Sequence, residues 1–447
     1  MSKSLVGKNG AVGHLQDLLR IDTTNPPGNE RAAIDWLAGI LRQEGLTPTI
    51  LEAAPGRANL VCRLPAATPN NAGPLLLSSH VDVVPAEADK WTHPPFGGVV
   101  ADGYIWGRGV FDMKCKTVMD LVTFLAAKRE GWPLCRDLIL AAVADEEKGC
   151  TLGSKFLVER HPDLIRAEYC LNELGGCTIH VNGHRLYPIQ MAQKGIAWLK
   201  LTMRGTPGHA SRPHGDLAIA KLGHAVHRLT RRRLPQHVTP PARAFLAALA
   251  ETLPAPKRWL LRGLLHPRLG PLLASRLPLT NATSLLLAIT HNTACPTVVS
   301  GGRADAINVI PSEAACYVDG RIVPGQTAED LVRELRAVLG TDCAIEILQS
   351  RNGAIQRTDT PLFAMIGEII AEADPGARAV PFMLSGMTDA YFYHKLGIIT
   401  YGFQPLRCPP GYNPTAQAHA HDERIPVEGF EWGVATYRAL VRRFITQ

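Results

Sequence analysis

The sequence predicts an α/β fold: a larger domain on a largely parallel sheet, with an inserted smaller α+β, two-layer domain. Two observations carry this. Three short apolar runs, PLLLSS (74–79), DLILAAVA (137–144) and AEYCL (167–171), have strand length, end abruptly in polar residues and alternate with helical segments, the pattern of a parallel sheet. Near Lys194-Gly195 the character changes to a β-α-…-β-α-β order, and from about residue 354 the α/β character resumes, which marks an insertion. The expected division is 1–193 and 354–447 for the larger domain and 194–353 for the insertion. A chain of 447 residues is long enough for both.

Element by element, RAAIDWLAGILRQEG places Ile34, Leu37, Ile40 and Leu41 at helical spacing and closes on Gly45. MKCKTVMDLVTFLAAKREG, closed by Gly131, and TLGSKFLVERH are the helices between the apolar strands. In the insertion, IAWLKLTMRG alternates like a strand with one exposed face, and DLAIAKLGHAVHRL is helical. AACYVDGRIVPG reads as strand and turn, AEDLVRELRAVLG as helix and CAIEILQS as strand. The stretch 234–290 is rich in Pro, Leu and Arg. Its KRWLLRGLLHPRLGPLL portion admits a membrane-surface or subunit-contact reading, but a helical insertion packed on its own chain is the expectation. A last helix follows Pro426.

Composition excludes several classes. Hydrophobic residues at 46% and charged residues at 19% describe an ordinary globular protein. The polar start MSKSLVGKNG lacks the apolar run of a signal peptide, and no apolar stretch is long enough to span a bilayer. A cytoplasmic location is expected, with no membrane partner. The ten cysteines contain no Cys-x-x-Cys pair and read as reduced, mostly buried thiols. The net charge of +7 suits at most a mild attraction for anionic substrates. Arg228, Arg231, Arg232 and Arg233 form a basic helix end with no interleaved aromatics, so no nucleic-acid partner is expected.

Chemistry concentrates where the three strands end. PLLLSS runs into His80-Val81-Asp82, DLILAAVA into Asp145-Glu146-Glu147, and AEYCL into Asn172-Glu173. Open parallel sheets bind ligands at such C-terminal strand ends, and three endings bearing His and carboxylates are hard to assign to chance. Asp112, in GRGVFDMK, adds a fourth group just before a helix. Other mechanisms lack their residues: there is no Gly-x-Ser-x-Gly elbow and no His-Glu-x-x-His. GRGVFD carries Asp112 where the third glycine of a dinucleotide loop belongs.

The segments SSHVDVVP, GRGVFDMK, ADEEKG, LNELGG, RGTPGHAS, INVIPSEA, VDGRIVPG, LSGMTDA and AHAHDERIPV occur in this order from about residue 15 to the end. Together they resemble the aminoacylase, acetylornithine deacetylase, succinyl-diaminopimelate desuccinylase and glutamate carboxypeptidase family of zinc metallopeptidases. The resemblance implies two Zn2+ ions, replaceable by Co2+ or Mn2+, bridged by Asp112. His80 and Glu173 would hold one ion, Glu147 and His419 the other; imidazole and carboxylate donors suit zinc. It further implies Glu146 as general base, Asp82 as the carboxylate orienting His80, and His209 as stabiliser of the oxyanion. His419 is preferred to His421 because the family's ligand lies three residues before the aspartate. Asn308 and Arg321 would grip the substrate, a guanidinium suiting a terminal carboxylate; Gly386 and Thr388 would line the loop for that carboxylate, with Asp389 structural there. The implied substrate is an N-acyl amino acid or short peptide with a carboxylate beside the scissile amide; the larger domain would be the catalytic, metal-binding one and the insertion a lid or dimerisation domain, a homodimer through it being admitted. Two departures stand out: Cys115, where the family commonly has glycine, would crowd the approach to the site, and Met387 interrupts a usually small, polar loop. The alternative class is a non-catalytic metal- or peptide-binding protein that kept the fold.

Overall fold

The computed structural model describes residues 10–67, 72–266, 268–277 and 280–447. Residues 1–9 of the polar start, and Pro267 within the insertion, lie outside them. The chain forms two compact units: Met1–Met191, Gln356–Phe382 and Thr388–Gln447 make the larger, Ala192–Ile355 and Met383–Met387 the smaller.

In the larger unit four parallel strands run side by side in the order Leu138–Val143, Leu75–His80, Tyr169–Asn172 and Ile399–Gly402. Arg57–Leu64 and Thr49–Ala54 extend one edge antiparallel, and His184–Gln193 extends the other. The apolar runs are unbroken because both faces are covered. Leu75, Leu77, Leu138 and Leu140 pack on one side with Phe124, Tyr437 and Leu440, beneath the helices Cys115–Arg129 and Val427–Ile445. Leu76, Ile139 and Ala141 face the other side and meet Leu157, Phe392 and Tyr393. Since the 75–80 strand lies between the 138–143 and 169–172 strands, all three polar endings emerge at one edge.

The smaller unit is an antiparallel sheet in the order Thr293–Gly301, Glu313–Ile322, Gly195–Arg204 and Ala344–Arg351. Leu199, Leu201 and Met203 point to the core with Leu222 and Leu229 of helix Ala218–Arg231 and Leu331 and Leu335 of helix Ala328–Leu339. Trp198 alternates outward and is 46% exposed. The α/β class with its smaller α+β layer pair is thus the observed one. The 293–301 strand was not anticipated: CPTVVSG is mostly exposed on both faces and lacks the alternation that marks a strand. The Pro/Leu/Arg-rich stretch forms helices Pro240–Glu251, Ala255–Leu264, Gly270–Arg276 and Asn281–Thr290.

Candidate metal centre and active site

His80 closes its strand fully buried, and Asp112 sits in a distorted turn just before helix Cys115–Arg129. The turn depends on Gly109, whose φ is +81°; a Cβ there would lie 2.3 Å from Val83 Cγ1. Glu173 leaves the 169–172 strand beside Gly402, where a Cβ would lie 2.0 Å from the Glu173 carbonyl oxygen. A side chain at Gly402 would therefore push the Glu173 segment away from its neighbouring strand.

These supports bring five side chains into two groups. His80, Asp112 and Glu173 form one, Asp112, Glu147 and His419 the other, with the candidate ligand atoms of each within 4.8 Å of one another. His80 Nε2 is 3.2 Å from Asp112 Oδ1 and 3.6 Å from Glu173 Oε2. His419 Nε2 is 3.0 Å from Glu147 Oε2 and 3.4 Å from Asp112 Oδ2. Asp112 belongs to both groups. His421 instead pairs with Glu87 at 3.0 Å.

The donor set fits divalent cations. Glu173 Oε1 is buried without a hydrogen-bond partner among the described residues, an orphan acceptor that a cation would satisfy. Burial pushes the Glu173 carboxyl up to about 8. It also raises Glu146 well above the carboxylate range, reinforced by the charges of Glu173 and Glu147. Burial would raise Asp112 too, but hydrogen bonds from His419 and His80 hold it low. His419 is raised to about 10 by its hydrogen bonds to Asp112 and Glu147. So many acids gathered in one pocket favour positive charge there. Glu146 belongs to neither group, although it adjoins Glu147.

A surrounding set of hydrogen bonds holds the loops. His80 Nδ1 is 3.0 Å from the Asp82 carbonyl and 3.5 Å from its carboxylate, so the main chain makes the closer orienting contact. The carboxylate serves other donors as well. Asp82 Oδ1 accepts from Glu146 N (3.0 Å), and Oδ2 accepts from Glu147 N (3.2 Å) and Asn25 Nδ2 (2.8 Å). Asp82 thereby fixes the segment carrying Glu146 and Glu147.

Glu423, to which the sequence reading gave no role, does the same for Asp112. It accepts from Phe111 N (2.8 Å) and Asp112 N (3.2 Å) through Oε1, and from Gly109 N (2.9 Å) and Arg108 (2.7 Å) through Oε2. Arg108 also donates to the His419 carbonyl at 3.4 Å, tying both loops together. Asp145, at φ +65°, accepts from Asn25 and Arg57, and Arg57 in turn pairs with buried Glu30. The signal for Glu423 was its place in HAHDE, four residues after His419, just before a strand.

Cys115 does not crowd the approach. It is fully buried, and its sulfur accepts from Gln404 Nε2 at 3.0 Å; burial raises the thiol pKa strongly. Thr388 and Asp389 are buried, and Asp389 accepts a hydrogen bond from Ser154. In the smaller unit, His209 pairs with Val309 on a two-residue ribbon, and the Asn308 carbonyl accepts from Ala210 N at 2.9 Å. Two distant motifs, GTPGHAS and INVIP, thus become neighbours. His209 is exposed, with Nδ1 2.8 Å from Ser211 Oγ. Arg321 sits elsewhere on that unit's sheet, forked onto Asp319 at 2.7 and 3.0 Å. Gly386 is half-buried, and Met387 Sδ lies 4.0 Å from Arg351.

Known proteins match along nearly the whole chain. Residues 76–443 match the model of peptidase family M20/M25/M40. Aminoacylase-1 of Sus scrofa is 27% identical over 98% of this chain and 96% of its own length. The fold superposes on an M20 family metallo-carboxypeptidase from Sulfolobus solfataricus at a TM-score of 0.71, with 16% identity and full coverage of both chains. A dinuclear metal-binding M20 peptidase from Bacillus subtilis superposes at 0.58, with 13% identity and 97% coverage of each. The chain belongs to peptidase family M20/M25/M40, and it is a metal-dependent hydrolase of amide or peptide bonds.

Proposed function

We propose that the chain hydrolyses N-acyl amino acids, and short peptides ending in a carboxylate, with two zinc ions. His80, Asp112 and Glu173 would hold one ion, and Asp112, Glu147 and His419 the other. The observation that carries this is Asp112's membership of both groups, with Glu146 beside them but in neither. Similarity to an aminoacylase along 98% of the chain supports the acyl amino acid as substrate.

When bound, such ions supply Lewis acidity toward the acyl oxygen and acidify water. Glu146 takes a proton from the attacking water and returns it to the departing nitrogen. The acyl C–N bond breaks, giving a carboxylate and a free amino acid. Asp82 holds the Glu146–Glu147 segment in register through two main-chain N–H bonds. His209 stabilises charge developing on the acyl oxygen, and Asn308, next to the same ribbon, grips the substrate. Arg321 receives the substrate carboxylate by exchanging or sharing its fork with Asp319. Gly386 and Thr388 complete the carboxylate loop, and the smaller unit is proposed as the surface of a homodimer. A purely binding role is disfavoured, since the base and every ligand position are filled.

The test is Glu146→Gln on protein loaded in parallel with zinc, cobalt or manganese, assayed on N-acetyl amino acids and dipeptides. Turnover should fall by about 10²–10⁴-fold while the bound metal stays at two ions per chain. Full activity of this variant, or of protein stripped of metal by a chelator, would overturn the reading.

A further inference from the structure

The helical stretch 228–290 contributes nothing to the chemistry above, yet its charge is unlike the rest of the chain. It holds ten of the 47 Lys and Arg but one of the 40 acids, Glu251, so the remainder is net −2 and this stretch carries the whole positive excess. Its exposed surface is also apolar. Helix Ala255–Leu264 buries Leu261 and Leu264 and turns Trp259 (70% exposed) and Leu260 (43%) to solvent. Leu269, just before helix Gly270–Arg276, and Leu272, within it, are each about half exposed. Lys257, Arg262 and Arg268 each lie within two residues of one of these side chains in sequence and are exposed.

The helix is fixed from behind, so exposure of Trp259 is not loose packing. Arg243 donates to the Leu265 carbonyl at 3.2 Å and Gln236 to the Leu264 carbonyl at 3.0 Å, which holds the C-terminal end of the helix to the preceding segment. A tryptophan and leucines pointing outward from a fixed, cation-rimmed helix match the requirements of a bilayer interface. There the indole sits at headgroup level, the leucines enter the acyl boundary, and the cations meet lipid phosphates. A second copy of this face is a poor occupant, since two surfaces of the same strong positive charge repel. A nucleic acid would leave the leucines uncovered.

We propose that this helical insertion docks the enzyme on anionic phospholipid membranes, with Trp259, Leu260, Leu269 and Leu272 as the inserted side chains and Lys257, Arg262 and Arg268 as headgroup contacts. The sequence reading admitted a membrane-surface role for KRWLLRGLLHPRLGPLL but set it aside for packing on its own chain; the outward Trp259 and Leu260 favour the surface role. Among the described residues no helix is long and apolar enough to cross a membrane.

The test uses the metal-loaded full chain in co-sedimentation with phosphatidylcholine vesicles, with and without 30% phosphatidylglycerol. The expected result is binding to the anionic vesicles alone, weakened by 0.5 M salt. The triple change Lys257→Gln, Arg262→Gln and Arg268→Gln should lower partition roughly 100-fold, at about fivefold per cation near an anionic surface. Trp259→Ser with Leu260→Ser should lower it at least tenfold, while hydrolysis of a water-soluble substrate stays unchanged in both variants. Three results would overturn the proposal: no binding to anionic vesicles, binding unaltered in both variants, or vesicles fully displaced by single-stranded DNA. A Trp259→Ser, Leu260→Ser chain that loses a dimer in sedimentation velocity would instead assign the face to a second copy, and overturn it too.

Discussion

Replacing Glu423 by Ala removes a side chain that touches no candidate ligand atom yet accepts four hydrogen bonds beneath Asp112. Arg108, 2% exposed, loses its ion pair, and the N–H groups of Gly109, Phe111 and Asp112 lose their acceptor. Leaving one member of a buried pair uncompensated costs about 3–5 kcal/mol; water entering the vacated space would offset part of the N–H loss. At ~2–4 °C per kcal/mol for a large domain, the melting temperature should fall by roughly 6–20 °C. Glu423→Gln separates the contributions. Its single carbonyl can keep the Phe111 and Asp112 bonds, while its NH2 group faces Arg108 and Gly109, donor against donor, so a loss about half as large is expected. Because Arg108 also reaches the His419 carbonyl, zinc affinity should weaken by ~10–100-fold in the Ala variant. Thermal unfolding with metal chelated, and zinc titration at 25 °C, measure the two effects separately. An Ala variant melting within 2 °C of the parent with unaltered zinc affinity would refute the assignment of Glu423 as the clamp of the Asp112 loop.

Asp82→Asn turns an amide NH2 toward main-chain N–H donors of the Glu146–Glu147 segment, so kcat should fall by roughly 10–100-fold with KM little changed; steady-state kinetics showing parent turnover would contradict that role. His291 is 5% exposed, and burial lowers its pKa from 6.5 to about 4. The unfolded chain therefore takes up the proton first on acidification, so stability is intact above pH 6.5 and declines as the pH falls toward 4, by at most on the order of 3 kcal/mol. His291→Gln should flatten that part of the urea stability profile, and parallel profiles for the two proteins would exclude His291 as its source. Lys116 and Asp120 are a fully buried pair, and Asp120 also accepts from Tyr437. Lys116→Met should cost about 3–5 kcal/mol in denaturant unfolding, with an unchanged value showing that Tyr437 alone suffices to hold the acid.

What the sequence by itself determined follows from local rules. Unbroken apolar runs ending in His and carboxylates specified parallel strands covered on both faces, and strand ends specified where polar groups collect. Helical spacing and glycine stops located the main helices to within a few residues. The exposed 293–301 strand escaped because its pairing with 313–322 is made by backbone hydrogen bonds, which leave no periodic trace when both faces meet solvent. Motif order along the chain, rather than any residue's own chemistry, singled out His419, His209, Asn308 and Arg321.

Tertiary structure decided the rest. That Asp112 belongs to both groups depends on a turn held open by Gly109 and on Glu423, 311 residues away in sequence. Whether a carboxylate orients an imidazole or organises a loop depends on which donors fold against it, and Asp82 meets two main-chain N–H groups first. Cys115 could be placed beside the site by its number but not by its direction, and its side chain turns into the core toward Gln404. Burial, partners and direction arise only when distant segments pack, so no reading of local pattern contains them.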